Sequence, residues 1–232
     1  MLCHRNSILV KRNELDCFQA PVATATWKPV EHKKLADTII GAIEAHGMAV
    51  AEEEFSITGD GNRLFGYIKL KEDSRPDYCR TVGFHHSNDK RISLKIVAGI
   101  SVFVCDNLLL KGIEYLKRKH TSGLELEDEI FEAVGRIPHH WISIDRNIHR
   151  LKCQVISKDE ARTVVMQASE FGIVPDRDVM PIFREFLAPR HEEFRQSTRW
   201  SLYNAFTEVA KKYSPEKHGK FYSGLNSIFD VN

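Results

Sequence analysis

Two groups of polar residues in the middle of the chain have the side-chain types that acid–base or nucleophilic chemistry requires. His85 and His86 come shortly before Asp89, and a long apolar strand then leads to Cys105 and Asn107. A nucleophilic cysteine needs a base that lowers its thiol pKa, and a histidine on a neighbouring strand could supply one. The candidate catalytic residues are therefore His86, Asp89, Cys105 and Asn107.

The same residues also have a structural interpretation, which we favour. Neighbouring strand residues point to opposite faces of a sheet, so only one of the two histidines can face a given site. A buried cysteine commonly packs as a small apolar side chain, and Asp106 or Asn107 could cap a following helix. The histidines and cysteines are not spaced as the ligands of a known type of metal site are. We therefore predict neither a metal nor a cofactor from the sequence.

A third group consists of basic side chains on the predicted strands and just after them. Basic residues interleaved with aromatic rings suit a single-stranded nucleic acid, because cations follow the backbone and rings stack on bases. The nearby rings are Phe65, Tyr67 and Phe84. Alternatively, the rings belong to the core and the 117–119 run is a solvated helix end. The candidate nucleic-acid-binding residues are Arg63, Lys69, Lys90, Arg91, Lys95, Lys117, Arg118 and Lys119.

Periodicity and turn chemistry predict the elements that position these residues. Leu35, Ile39 and Ile43 recur every four residues, which indicates a helix. Glycine-rich and Asn-Asp turns then separate strand-like runs, and a break at Ala98–Gly99 is typical of a bulge. Strands followed by helices predict an α+β fold.

The predicted organisation has one central α+β domain between two less regular ends. The sheet has about four antiparallel strands, and we expect weak order in the C-terminal tail. The predicted ranges are an N-terminal arm at 1–28, a single domain at 29–212 (sheet 49–107, helical half 108–212) and a tail at 213–232.

Composition limits the classes of function. The 232 residues carry a formal net charge of +1, so a polyanionic partner has to be recognised by a local patch. The 5 cysteines are odd in number and widely spaced, which favours a reducing compartment over a disulfide framework. No apolar run reaches the length of a membrane helix, and the N-terminus lacks a signal-peptide core. We therefore expect a soluble, cytoplasmic protein without a membrane partner.

Several motifs resemble the phage/plasmid-like protein family, catalogued as domain of unknown function nine-three-two. They are a Ser-x-Asp turn, an Ala-Gly…Val-Cys-x-Asn strand end and a late Trp-x-x-x-Asn-Ala-x-Thr helix, within roughly residues 35–212. The chain departs from many members at Asn88, where they have His or Tyr. The matching residues are Ser87, Asp89, Gly99, Val104, Cys105, Asn107, Trp200, Asn204, Ala205 and Thr207.

The resemblance implies a gene of a phage, prophage or plasmid, acting in a bacterial cytoplasm, and it implies no established activity. The element order also looks like the core of single-strand annealing recombinases, by analogy only. The first hypothesis is a nucleic-acid-binding accessory protein, with single-stranded DNA favoured as partner. The second is an interaction protein that inhibits a host defence system, and the third is an enzyme with a His/Asp/Cys site. Host protein partners and self-association stay open.

Overall fold

Alternating apolar and polar residues build one antiparallel sheet in the computed structural model, which describes residues 7–71, 78–102, 107–121, 125–213 and 215–231. The sheet has six strands in the order β1-β2-β3-β4-β5-β6, so consecutive strands are neighbours throughout. The strands are β1 (Ser7–Val10), β2 (Val50–Thr58), β3 (Arg63–Leu70), β4 (Tyr78–Ser87), β5 (Leu94–Val102) and β6 (Asn107–Arg118).

Helices precede and follow the main part of the sheet. The first lies between β1 and β2, and the others form the C-terminal half. This arrangement confirms the predicted α+β class. The helices within the described ranges are α1 (His32–Ala45), α2 (Leu126–Cys153), α3 (Lys158–Glu170), α4 (Asp176–Leu187), α5 (Arg199–Ala210) and α6 (Pro215–Ile228).

One face of the sheet forms the main core with α1 and α2. Phe84 and Ile96 of the sheet are buried there, as are Ile39 of α1 and Trp141 of α2. The Trp141 indole N–H donates to the Gly99 carbonyl at 3.3 Å, which ties α2 to β5. The β5–β6 pairing shifts register between Val97 and Gly99, at the position where the sequence predicted a bulge.

Three segments differ from the predicted organisation. The arm at 1–28 contains β1 and a short 3-10 helix (Arg12–Cys17), whose Leu15 is buried. Residues 108–118, assigned to the helical half, continue the sheet as β6 because β5 supplies their backbone partners. The tail forms α6, since Phe221 and Leu225 are buried against the other helices. The strand count is accordingly higher than the predicted four.

Candidate functional site

Strand order gathers most of the predicted nucleic-acid-binding residues at one end of the sheet. In an antiparallel meander, alternate strands begin and end at the same place. The pairs Arg63↔Ser87 and Leu94↔Arg118 show that β3 and β5 begin where β4 and β6 end. We call this part of the molecule the basic end. It carries every predicted cation except Lys69, namely Arg63, Lys90, Arg91, Lys95, Lys117, Arg118 and Lys119.

Two of these cations lie opposite each other on neighbouring strands. Lys95 pairs in register with Lys117, and His85 pairs with Lys95 on the other side. Directly opposed side chains lie close enough to interact, and like charges in this position destabilise a sheet. The register therefore concentrates positive charge at the start of β5.

Carboxylates neutralise part of the basic end. The Arg63 guanidinium donates to Asp89 at 2.9 Å, and Arg118 donates to Glu129 of α2 at 2.5 Å. Arg91 lies 3.9 Å from the same Asp89 carboxylate, with 76% of its side chain exposed. Lys119 is exposed and forms no ion pair with any residue that the structure describes. Arg91 and Lys119 thus remain exposed to solvent, while Arg63 is committed to the turn.

Lys69 lies at the other end of β3, away from the basic end. Its ammonium group is 2.9 Å from the Glu52 carboxylate across the β2–β3 pair. The structure therefore separates this residue from the rest of the predicted set.

The rings predicted to stack on bases are buried. Phe84 is 1% exposed and belongs to the core, while Phe65 and Tyr67 on the opposite face are 7% and 4% exposed. A base cannot reach the faces of these rings in this structure. A different ring, Trp27, is half-buried at the basic end, and the Lys90 ammonium lies 4.6 Å from its centre.

Trp27 belongs to residues 24–31, which we call the strap: a tight turn closed by hydrogen bonds between Thr24 and Trp27, followed by irregular backbone that leads to α1. The Val30 N–H donates to the Asn88 side-chain oxygen at 3.1 Å, and the Asn88 amide donates back to the Val30 carbonyl at 2.9 Å. The Lys28 N–H donates to the His120 carbonyl at 3.1 Å, and Trp27 forms a bridge with Thr121. The strap thus joins the β4–β5 turn to the segment after β6.

Three buried histidines lie beneath the basic end, one from each of three distant parts of the chain. His32 begins α1, His86 is on β4 and His120 follows β6; they are 1%, 0% and 5% exposed. His32 Nδ1 lies 2.8 Å from His86 Nε2, and His32 Nε2 lies 2.8 Å from the Gly61 carbonyl. The His86 and His120 rings stack with their centres 5.2 Å apart. We call these residues the histidine cluster.

The environment of the cluster favours neutral imidazoles. Burial lowers the pKa of all three, and the neighbouring histidines lower the pKa of His86 further. His32 also lies at the positive end of the α1 dipole, which disfavours a second positive charge. At neutral pH the cluster is therefore an uncharged layer under a positively charged rim.

The turn residues Ser87 and Asp89 are used in building the turn itself. The Ser87 hydroxyl accepts from the Ile92 N–H at 2.8 Å and donates to the Ile92 carbonyl. Burial alone would raise the pKa of Asp89. Hydrogen bonds to its carboxylate, including those from the Arg91 N–H and the Arg63 guanidinium, outweigh burial, so the pKa of Asp89 lies below its ordinary value. Asp89 is thus an ionised structural group rather than a poised acid.

The candidate catalytic residues do not converge among the described residues. His86 and Asp89 lie at the basic end, whereas Asn107 pairs with Val102 at the far end of β5. The intervening strand from Lys95 to Val102 corresponds to about 23 Å at the usual rise per residue. Cys105, and with it the proposed pair with a histidine, lies outside the described residues.

Neither a metal centre nor a membrane segment emerges from the described part of the chain. Within these ranges, no group of three or more His, Cys, Asp or Glu residues could hold a metal ion. The histidine cluster does not form one, since His32 and His86 share a hydrogen bond between the nitrogens that a common ion would need. No described helix has the length and apolar character required to span a bilayer.

Sequence reasoning missed Trp27, His32 and His120, and it noted Asn88 only as a departure from the family pattern. Trp27 lies in the predicted N-terminal arm, and His32 precedes the apolar repeat of the predicted first helix. His120 directly follows the run of cations at 117–119. No local pattern links these positions, because only the meander and the strap bring them together.

Comparison with known families confirms the resemblance seen in the sequence. The family model described as Domain of unknown function (DUF932) matches residues 21–227, which include the strap, the sheet from β2 onward and most of the helical half. The chain belongs to this family. No curated protein matches the chain, and no solved structure matches it. Membership in the DUF932 family therefore carries no activity with it, and function has to be argued from the site.

Proposed function

We propose that this protein binds nucleic acid, with single-stranded DNA as the favoured partner, at the basic end of its sheet. The observation that carries the proposal is the strand register, which places Lys95 opposite Lys117 beside the exposed Lys119 and Arg91. Converging cations of this kind bind phosphates through the release of condensed counterions. The chain's near-neutral net charge makes such a local patch necessary.

The strap adds an aromatic group to this surface. Trp27 lies next to Lys90, and Lys28 on the same segment is exposed. A single strand has unpaired bases that can stack on such a ring while its phosphates contact the lysines around it. This role replaces the one predicted for the buried rings of β3 and β4.

The wider setting is part of the same proposal. A nucleic-acid-binding accessory protein of a phage or plasmid, related to single-strand annealing or recombination, would act in the bacterial cytoplasm. The resemblance of the Ser87–Asp89 turn and the α5 motif to phage/plasmid-like proteins supports this setting.

The test is a fluorescence anisotropy titration with labelled oligothymidylate, duplex DNA and single-stranded RNA. We expect saturable binding at 50 mM salt, with the oligothymidylate bound most tightly. With about four phosphates contacted, affinity should fall roughly 50-fold between 50 and 200 mM salt. Absence of binding to all three ligands at 50 mM salt would refute the proposal.

A second candidate function is binding to a host protein through the edge of the sheet. β1 is an edge strand of the sheet, and its Ile8 and Leu9 are 53% and 65% exposed. Exposed edge strands of this kind can pair with a strand of another chain. Replacement of Leu9 by Lys should abolish recovery of a stoichiometric host partner, without affecting nucleic-acid binding. Unchanged recovery would exclude this edge as the interface.

A further inference from the structure

Hydrogen bonds fix the proton positions on two rings of the histidine cluster. A carbonyl oxygen only accepts, so His32 Nε2 must carry the hydrogen that it donates to Gly61. In the neutral ring His32 Nδ1 is then bare, and it accepts from His86 Nε2–H. His86 Nδ1 is consequently a bare, buried nitrogen, and it has no hydrogen-bond partner among the described residues.

The third histidine has even fewer partners. Both ring nitrogens of His120 are buried and make no hydrogen bond with the described residues. In the neutral ring one of them is a bare acceptor. Buried polar atoms are almost always paired, so several orphaned nitrogens in one place need an explanation. The cluster therefore offers two unoccupied proton-accepting sites, on His86 and His120.

The charges around the cluster do not compensate for an added proton. Within the described residues, no carboxylate oxygen lies within 4.0 Å of a ring nitrogen of the three histidines. Asp60 is bonded to Thr58 and Asn62, and Asp89 is bonded to Arg63. The charged and titratable groups close to the cluster in the chain or in the adjoining turns include Glu31 and Lys33 at the start of α1, Asp60 and Arg63 at the β2–β3 turn, His85 on β4, Asp89 and Lys90 in the β4–β5 turn, Lys28 on the strap, and Arg118 and Lys119 at the end of β6.

The histidine cluster is directly attached to the strap. His32 follows the strap in sequence, and the main-chain carbonyl of His120 accepts a hydrogen bond from the Lys28 N–H. His86 is two residues from Asn88, whose side chain is hydrogen-bonded to Val30 of the strap. A displacement of any of these rings would therefore be transmitted to the segment that carries Trp27. The exposed exterior of the strap and its few backbone hydrogen bonds are typical of a region that opens locally.

We propose that the histidine cluster is a proton-operated latch, which holds the strap down at neutral pH and releases it when the cluster is protonated. The opening of the strap does not depend on the proposed function. Only its purpose, which is to regulate the access of nucleic acid to the basic end, rests on that function. A proton on His86 Nδ1 leaves the His32–His86 bond intact but places a buried positive charge beside His120. A further proton on His32 Nδ1 would put two N–H groups face to face and break the bond.

Release of the strap exposes both sides of Trp27 and the lysines near it. The protonated rings also add positive charge under the basic end. Both changes strengthen binding to a polyanion, so acidification should increase affinity rather than reduce it. Lysine and arginine remain fully charged over this pH range and cannot produce the effect themselves.

Hydrogen–deuterium exchange tests the latch without any ligand. After correction for intrinsic rates, exchange of a peptide spanning the strap should rise about tenfold from pH 7.5 to pH 5.5. α5 exchanges only through global unfolding, so it should remain much slower than the strap at both pH values. Unchanged exchange in the strap between the two pH values, or strap exchange as slow as that of α5, would overturn the inference.

Two variants and a control identify the histidines that act. In His86→Gln and His120→Gln, the rise in strap exchange at pH 5.5 should fall to less than about twofold, because neither amide titrates. His139→Gln, which changes an exposed histidine on α2, should behave as the wild type. If His86→Gln fails to fold, the result for His120→Gln decides the test. This variant should fold, because the His120 ring makes no hydrogen bond with the described residues that its replacement would break.

A parallel anisotropy titration at constant ionic strength separates the latch from the proposed function. Strap opening without oligothymidylate binding would retain the latch and reject the function. Binding with a closed, pH-independent strap would retain the function and reject the latch.

Discussion

Two buried polar regions of this molecule differ in how completely their hydrogen bonds are satisfied. In the helical half, Tyr203 donates to Asn226 at 3.0 Å, Asn204 donates to the Trp200 carbonyl and Thr207 donates to the Asn204 carbonyl. In the histidine cluster, one ring nitrogen of His86 and both of His120 have no hydrogen-bond partner in the part of the chain that the structure describes. Both regions are almost completely inaccessible to solvent, so exposure does not explain the difference.

The comparison indicates different purposes for the two regions. A satisfied buried network rigidifies a core and specifies one packing arrangement. Orphaned nitrogens reduce stability, and they persist where the protein uses them. The family-matching residues Trp200, Asn204 and Thr207 therefore act in folding, while the histidine cluster is the region where proton binding can alter the structure.

The largest effect should follow from breaking the satisfied network. Replacement of Asn226 by Ala leaves the buried Tyr203 hydroxyl without its acceptor, and we expect a loss of about 2 kcal/mol in unfolding free energy. The loss should be equal at pH 7.5 and pH 5.5, because burial raises the pKa of Tyr203 well above this range. Urea denaturation at both values measures it, with the exposed Asn13→Ala as control. A strongly pH-dependent loss would contradict the distinction between the regions.

A slightly smaller effect per residue should follow from acidification of the wild-type protein. The folded-state pKa values of the three histidines lie below the unfolded value, so the unfolded state binds more protons as the pH falls. This contribution to stability is present well above about pH 6.5 and declines below it, by up to about 1.4 kcal/mol at pH 5.5 for each ring that the folded state keeps neutral. Chemical denaturation across this range provides the measurement. Constant stability down to pH 5.5 would show that the cluster is not buried in its neutral form.

The smallest effect should come from filling the position of His120 with an apolar ring. His120→Phe removes no hydrogen bond, so we expect a change of less than about 1 kcal/mol at pH 7.5. The same variant should lose less stability than the wild type on acidification, because one proton-binding group is gone. Denaturation curves at both pH values compare the two proteins. An equal acid sensitivity in both would show that His120 does not contribute to the effect.

The sequence predicted much of the sheet because its signals are local. The hairpin of β2 and β3, the Asn-Asp turn after β4 and the bulge on β5 each follow from neighbouring residues. β6 was misassigned because a strand with a basic end resembles a helix C-terminus until its partner is known. The spacing of Phe221 and Leu225 was consistent with α6, but the glycine and serine around them obscured it.

The candidate site was less predictable than the fold. The cations come together at one end of the sheet because consecutive strands are neighbours, so the strand order alone explains their grouping. The histidine cluster joins His32 to His86, 54 positions away, and to the still more distant His120, and it depends on how the strap crosses the sheet. No periodicity encodes such a contact. Single-sequence reasoning therefore named the cations at the basic end and missed the histidines beneath them.

The most direct measurement of the central claim is the salt dependence of oligothymidylate binding in a charge-reversed variant. Lys117→Glu/Lys119→Glu should weaken binding at least about tenfold at 50 mM salt and reduce the slope of log affinity against log salt by about 1.4. Lys158→Glu/Arg184→Glu, which changes exposed cations of the helical half, should leave both values unchanged. Equal losses in the two variants, or a wild-type slope in the first, would contradict binding at the basic end.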